Sequence, residues 1–431
     1  MDSTMQQGLA GNRWARWSLY ALTFFPLIDF ALRNTPHLHI IGSVWSIIVL
    51  VILAVVAWKR ISSGNRPVGF SWYKYAGWYM IYILALMFMG LGLGHATVAI
   101  DGFRADVFYM LFAFLIPFVV VPEDVPKLLH AVAALAILIG VHGLFQYILA
   151  VPIPHGWVDV NEHVRTRVFS IITSPNELGA YLALTEPLIA GLFLYERNRI
   201  RKWMYGVGFF ACVGTHIFTY DRGSLLALAL ALVVVAALIR PRLLIVVAIL
   251  GVIGFFLPPI HHRFADLFSP VYLLKAQQGG RLFRWGVAFD TMSQNPLLGG
   301  GLGRYGGSVA SDFGLSIYSD NYYMKVLGES GLIGLLLFMG MHLALLREVL
   351  KKAVKRMEGR KRYVVMGGFI GLVAVVIHNG VENVFEFGPN VILYFTIATL
   401  LLIWGRGEEA NVSAGEEDTV SDRATVRASV S

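Results

Sequence analysis

A single cysteine, Cys212, stands in 431 residues. One thiol excludes a disulfide framework and any thiol cluster with metal-ligand spacing. Charge is scarce too: Asp, Glu, Lys and Arg make up 14% of the chain, against 57% hydrophobic residues. Soluble domains carry roughly a quarter charged residues, so this much apolar surface exceeds what one soluble core would bury. There is no solenoid-type repeat and no pair of broken helices related as inverted halves, which counts against a secondary transporter. Arg13 and Arg16 precede an apolar run, but no small-residue cleavage site follows, and Pro26 and Asp29 interrupt the run. It reads as a retained first helix. No metal, cofactor or nucleic-acid partner is expected.

What the sequence does have is a series of apolar runs from about Leu19 to Trp404, many near twenty residues long. That is the length a hydrocarbon layer about 30 Å thick demands of a helix. The predicted spans are 18–32, 40–58, 72–93, 103–121, 128–150, 179–195, 202–219, 222–239, 242–257, 322–346, 363–380 and 389–404. The fold class is therefore an all-α polytopic membrane protein of about twelve transmembrane helices, forming one domain over residues 1–404. An even count returns both termini to one side. After Gly407 the chain turns polar and acidic, with Glu408, Glu409, Glu416, Glu417 and Asp418, and residues 405–431 read as a disordered cytoplasmic tail.

Loops that alternate along the chain hold Lys59, Arg60 and Arg66, then Lys127, then Arg197, Arg199, Arg201 and Lys202, then Arg240 and Arg242, and finally the run Arg347 to Arg362. Positive residues accumulate on the cytoplasmic side, so this set is assigned there. The opposite set is poor in positive charge except at Arg165 with Arg167, and in a long loop, 258–320, that holds Arg263, Lys275, Arg281, Arg284 and Arg304 between the ninth and tenth spans. Long loops cross the membrane regardless of charge. Clustering in just two loops favours an anionic ligand instead.

Within the long loop, Leu282, Trp285, Phe289 and Met292 recur at steps of three and four, which predicts a helix over 281–294 with one apolar face. Arg281 and Arg284, three residues apart, are neighbours on its surface. Guanidinium forks grip phosphate oxygens in pairs and suit a diphosphate better than a lysine does. An interfacial helix whose arginines only touch headgroups is the competing reading. The run Gly299, Gly300, Gly301, Leu302, Gly303, Arg304, Tyr305, Gly306 formally contains GxGxxG, but no strand and helix frame it as a nucleotide fingerprint requires. It reads as a flexible loop that lets backbone approach a ligand.

The loop closes at Ser319, Asp320, Asn321, Tyr322. Asp320 has two readings, a cap on the next helix or a general base for an acceptor hydroxyl. Glu329, flanked by Gly328, Gly331 and Gly334, is expected to face the bundle interior with a partner, as are Asp29 and Glu186. Arg222, at the junction Thr219 to Ser224, either pairs with Asp221 or holds an anionic substrate. Arg165, Arg167 and the stretch Thr173, Ser174, Pro175, Asn176, Glu177 lie in the loop before the sixth span.

These residues resemble the O-antigen ligase and polymerase superfamily. The resemblance runs, in order, through Ser-Pro-Asn-Glu-Leu-Gly from Ser174, Thr-x-x-Arg at Thr219 to Arg222, Gly-Arg-x-x-x-Trp at Gly280 to Trp285, Asn-Pro-Leu-Leu-Gly-Gly-Gly-Leu-Gly from Asn295, and Asp-Asn-Tyr-Tyr with Glu-Ser-Gly-Leu-Ile-Gly from Asp320 to Gly334. It implies a metal-independent glycosyltransferase of the GT-C type at the outer face of the bacterial cytoplasmic membrane. Its donor would be an undecaprenyl-diphosphate glycan and its acceptor a second glycan or lipid, with chain-length regulator or flippase proteins as further partners. The resemblance gives Arg222 and Arg281 the diphosphate and keeps Asp320 as candidate base, with Arg284, Trp285, Arg304, Asn321, Glu329, Arg165 and Arg167 around the substrate. Where ligases of the family have a His-Asn pair, this chain has Asp320 before Asn321, which leans towards a polymerase of exopolysaccharide or teichuronic-acid type. A transporter or flippase of lipid-linked sugars is the alternative, and it predicts charges near the bilayer midplane.

Overall fold

The computed structural model describes residues 13–64, 69–153, 165–172, 174–256 and 270–429. Every regular element among them is helical. The amino-terminal half contains α1 (Arg13–Thr23), α2 (Phe25–Asn34), α3 (His39–Ser62), α4 (Tyr73–Gly92), α5 (Ala96–Val107), α6 (Leu111–Leu115), α7 (Val125–Ile148) and α8 (Pro175–Tyr195). There follow α9 (Arg199–Phe218), α10 (Arg222–Ile239), α11 (Leu243–Phe255), α12 (Pro270–Gln277), α13 (Arg281–Gln294) and α14 (Ser308–Asp312). The chain closes with α15 (Tyr322–Val349), α16 (Lys361–His378) and α17 (Gly388–Ser429).

Among the described residues, eight helices are long and apolar enough to cross a membrane, lying in α3, α4, α7, α8, α10, α15, α16 and α17. The other four expected spans take different forms, each for a local reason. Span 18–32 is split into α1 and α2, with Pro26 in the first turn of α2. Span 103–121 breaks into α5, a 3₁₀ turn, α6 and a second 3₁₀ turn that contains Pro117. The seventh, α9, has full length but opens on Arg199, Arg201 and Lys202. The ninth, α11, has only 13 residues. Of the long loop, 258–269 lies outside the described residues, and the rest is largely helical. α13 spans 281–294, as its apolar periodicity predicts. Past Gly407 the backbone of α17 is helical to Ser429. Ala, Glu and Arg are good helix formers, and extending α17 requires no new nucleus.

α17 is the axis of the bundle: within its membrane-length stretch, residues 388–405 are all buried. Beside it, α8 and α16 meet backbone to backbone. A Cβ on Gly367 would come within 2.0 Å of the Pro187 carbonyl, and one on Gly371 within 2.1 Å of that of Leu184. Small residues four apart on α16 thus permit the close helix contact that dispersion rewards where water gives no driving force. Large apolar side chains such as Trp58, Trp78, Phe210 and Leu336 are exposed, which suits a lipid-facing surface.

Polar side chains gather at the two ends. One end joins Glu348 to Ser71 and Lys352, Arg201 to Glu196, and Lys361 to Glu408. The other end joins Arg167 to Asn176, Asp221 to His378, and Arg284 to Asp320. The basic loops of the charge pattern fall at the first end and the two exceptional loops at the second.

The glycine run has a structural function that the sequence reading did not foresee. α15 is kinked at Gly331, with φ 65° and ψ −167°. The run docks into the kink: Gly300 and Gly301 donate their N–H groups to the Gly328 and Glu329 carbonyls at 2.7 and 2.9 Å, and Leu332 donates to Pro296 at 2.9 Å. Tyr82 clamps both strands of the contact, donating to the Leu297 and Ser330 carbonyls. The close backbone approach is to α15, so the expected ligand-facing flexible loop is corrected. Gly299 has φ +73°, and a Cβ there would lie 2.6 Å from α15 backbone. Gly299→Ala is expected to cost more than the roughly 1–3 kcal/mol of a left-handed non-glycine residue, whereas Gly314→Ala, at φ +65° in open space, carries the backbone strain alone. Thermal unfolding in lipid nanodiscs checks the order; equal losses would contradict the docking role.

Candidate active site

α13 reverses the pattern of a water-exposed helix. Leu282, Phe283 and Phe289 are about half exposed, while Arg281, Arg284 and Trp285 turn towards the residues before α15. The Arg284 guanidinium donates to Asp320 Oδ2 at 2.9 Å and to the Tyr318 carbonyl at 3.1 Å, and its Nε donates to the Gly279 carbonyl at 3.0 Å. Arg281 Nε lies 3.8 Å from the same Asp320 oxygen. Trp285 Nε1 donates to the Ser319 carbonyl at 3.1 Å, and the Tyr305 hydroxyl donates to the Arg284 carbonyl. An apolar face turned outwards with two arginines held inwards fits a helix lying at a membrane surface.

Asp320 is not the cap of α15. Asn321 takes that place, its Oδ1 accepting from Tyr323 and Met324 N–H at 3.0 and 3.2 Å. The Asn321 side-chain oxygen is thereby used by the fold. Asp320, one residue earlier, has φ +48°, a left-handed conformation that Asp tolerates better than most residues, and its carboxylate points at α13. The start of α10 repeats the design. Tyr220 has φ +55°, and Asp221 caps the helix by accepting from Gly223 N–H at 3.0 Å, which sets Arg222 on the first turn. Asp221 also faces His378, with Oδ2 and Nε2 3.3 Å apart. His378 and the Arg167 guanidinium hold its carboxyl far below the usual range against the opposing effect of burial.

The segment between α16 and α17 was read from the sequence only as a gap between spans, yet it joins these turns. Asn383 accepts from the Asn321 N–H and the Ser319 hydroxyl, both at 3.1 Å, and donates to the Gly306 carbonyl at 2.7 Å. Tyr322 N–H donates to the Asn379 carbonyl at 2.8 Å. Glu382, 8% exposed, accepts from the Asn176 amide at 2.6 Å. Burial raises its carboxyl above the ordinary value, and the charges of Asp320 and Asp221 raise it further while Arg281 and His378 lower it. Glu382 is therefore within electrostatic reach of both turns and of Arg281 on α13.

Behind the surface lies a second group. Lys325 Nζ, 1% exposed, is 2.7 Å from Asp106, 2.9 Å from Glu329 and 3.7 Å from Glu386. The Tyr322 hydroxyl donates to Asp106 at 3.0 Å, and Ser308 N–H to Glu386 at 2.8 Å. Glu329 is fully buried and paired with Lys325, so its expected interior partner exists. An i, i+4 lysine one turn before Glu329 was the signal for this pair. Glu186, also expected to face inwards, lies 3.1 Å from His216, and Asp29 binds Arg33 at 2.8 Å.

The remaining arginines differ in place. Arg167 donates to the Thr219 carbonyl at 2.9 Å and to Asn176 at 2.7 Å, which ties it to the Asp221 and Glu382 side of the site. Arg165 donates to the Ile148 carbonyl at 3.0 Å and lies over the Tyr147 ring, at the end of α7. Arg304 is half-buried in the glycine turn and makes no ion pair among the described residues.

Fold and site together define a multi-pass helical membrane protein whose polar end gathers arginines and carboxylates from α8, α10, α13, α15 and the segment before α17. A family model described as O-Antigen ligase matches residues 207–339, from within α9 to within α15, and supports membership of the chain in the O-antigen ligase superfamily. The match also supports a membrane enzyme of the ligase or polymerase type. No curated protein matches the chain.

The buried Glu382 sets a pH dependence. With its folded-state affinity for a proton above the ordinary value of 4.5, the folded chain retains a proton that the unfolded chain has released, so stability falls as pH rises above that value. Glu382→Gln is expected to flatten this part of the unfolding profile; an unchanged slope would remove Glu382 as its source.

Proposed function

We propose that the chain is a glycosyltransferase that transfers a glycan from an undecaprenyl-diphosphate carrier to a second glycan or lipid, at the outer side of a bacterial cytoplasmic membrane, with both termini cytoplasmic. The observation that carries this is the convergence of Arg281 and Arg284 on one Asp320 oxygen, with the buried Glu382 facing the same turn. A diphosphate would exchange the loose 3.8 Å contact of Arg281 for a charge-assisted fork, while Arg284 keeps Asp320. Arg222, on the first turn of α10, would add a further guanidinium.

In the reaction the anomeric C–O bond to diphosphate breaks as the acceptor oxygen attacks the anomeric carbon. Charge builds on the leaving diphosphate, where fixed guanidiniums stabilise it. The acceptor hydroxyl loses its proton to a carboxylate. Asp320 is engaged in the ion pair with Arg284, whereas Glu382 has the raised proton affinity that suits a general base. Asp320 then orders the arginines, and Glu382 takes the proton. The departure from the His-Asn pair at Asp320 supports polymerisation over transfer to a lipid acceptor, with chain-length regulators or flippases as working partners.

In membranes where insertion is verified, Arg281→Ala and Arg222→Ala are expected to lower long-chain product on the lipid carrier about 100-fold or more. Glu382→Gln is expected to lose activity on a similar scale, and Asp320→Asn less. Unchanged long chains in Arg281→Ala would sink the enzyme and favour the transporter.

A further inference from the structure

The segment that carries Glu382 continues into a 3₁₀ turn, Val384–Glu386, and the far side of that turn walls a cavity of about 300 Å³. α2 contributes Asp29, Phe30, Arg33 and Asn34, and Tyr109 and Ile171–Ile172 close the rest. The cavity shares two stretches of chain with the active site. Glu386 follows Glu382 by four residues, and Ile171 lies between Arg167 and Asn176.

Its chemistry is that of a neutral polyol. Asp29 accepts from Arg33 Nε at 2.8 Å and from Trp45 Nε1 at 3.0 Å, which leaves carboxylate lone pairs and the terminal guanidinium nitrogens of Arg33 for a ligand. Glu386 has a side chain only 6% exposed; its Oε2 is bonded to Ser308 N–H, and its Oε1, 3.7 Å from Lys325 Nζ, accepts no hydrogen bond among the described residues. Lys325 compensates its charge but stands too far for a hydrogen bond, which a ligand hydroxyl would supply. Phe30 and Tyr109 put aromatic rings in its wall, the kind of surface on which the C–H face of a sugar packs. Two carboxylates against one guanidinium disfavour a phosphate, and the charges disfavour an acyl chain. The volume is at the low end of small-ligand pockets, roughly 300–1,000 Å³, which fits one ring.

We infer that this cavity is a subsite for one neutral hexopyranose unit of the glycan, held by Asp29, Arg33 and Glu386 against Phe30 and Tyr109. The inference rests on the proposed glycosyltransferase reading, and it adds the sugar chemistry that such an enzyme would select.

Saturation-transfer NMR on the full chain in phospholipid nanodiscs, free of sugar-headed detergent, tests it. The probes are the methyl glycosides of glucose, galactose, mannose and N-acetylglucosamine, with methyl glucuronide as the anionic comparison. At least one neutral glycoside is expected to bind and the glucuronide to bind at least about ten-fold more weakly, because its carboxylate meets Asp29 and Glu386. Asn34→Trp, an exposed substitution at the mouth, and Phe30→Ala are each expected to remove the signal, while Arg281→Ala keeps it. No saturation by any neutral glycoside, or a signal unchanged in both cavity variants, overturns the subsite. If Arg281→Ala abolishes polymer but no glycoside binds, the enzyme reading stands and the subsite falls. If a glycoside binds in the cavity while Arg281→Ala leaves polymer intact, the sugar site stands and the enzyme reading falls.

Discussion

The ion pair between Arg284 and Asp320, 2.9 Å long, fastens α13 to the head of α15, and the site is arranged around it. Both partners are about one quarter exposed, so solvent screens the pair only in part and its direction is held by further bonds. Arg284 reaches back to Gly279 and across to Tyr318, and Trp285 takes the Ser319 carbonyl. Asp320 can meet α13 only because its backbone turns left-handed and leaves the capping of α15 to Asn321. One conformational exception therefore decides where a carboxylate stands and which guanidiniums surround it.

That arrangement needs rigid support on its membrane side. Lys325 draws α5, α15 and the segment before α17 together through Asp106, Glu329 and Glu386. Removing one partner of such a desolvated group is costly, because the others are left buried without compensation. The kink at Gly331, locked by the glycine run, sits one turn further along the same helix. Both devices fix the first two turns of α15, the part that carries Asp320 and Asn321 at its head.

Much of this was legible in the sequence. Apolar run lengths gave the long spans, and steps of three and four gave the range of α13, because burial in lipid and at an interface leaves direct periodicities. The order of short motifs from Thr219 to Gly334 pointed to the family whose model matches residues 207–339. Other features were hidden. A proline in a short apolar run gave no sign whether the helix would bend or break, so 103–121 was read as one span. Glu382 and Glu386 lie in a polar gap with no periodicity, and their importance comes from contacts with Asn176, Lys325 and Ser308, far away in sequence. The glycines were read as room for a ligand because a sequence does not say what approaches them; here it is the backbone of α15.

In this mechanism a diphosphate displaces Asp320 from Arg281, whereas Arg284 stays on the carboxylate. Binding of a short polyprenyl diphosphate to the wild-type chain and to Asp320→Asn, in nanodiscs at one salt concentration, tests this directly. Tighter binding to Asp320→Asn is expected, since removing the carboxylate charge beside Arg281 leaves that guanidinium to the phosphate; unchanged or weaker binding would contradict the mechanism.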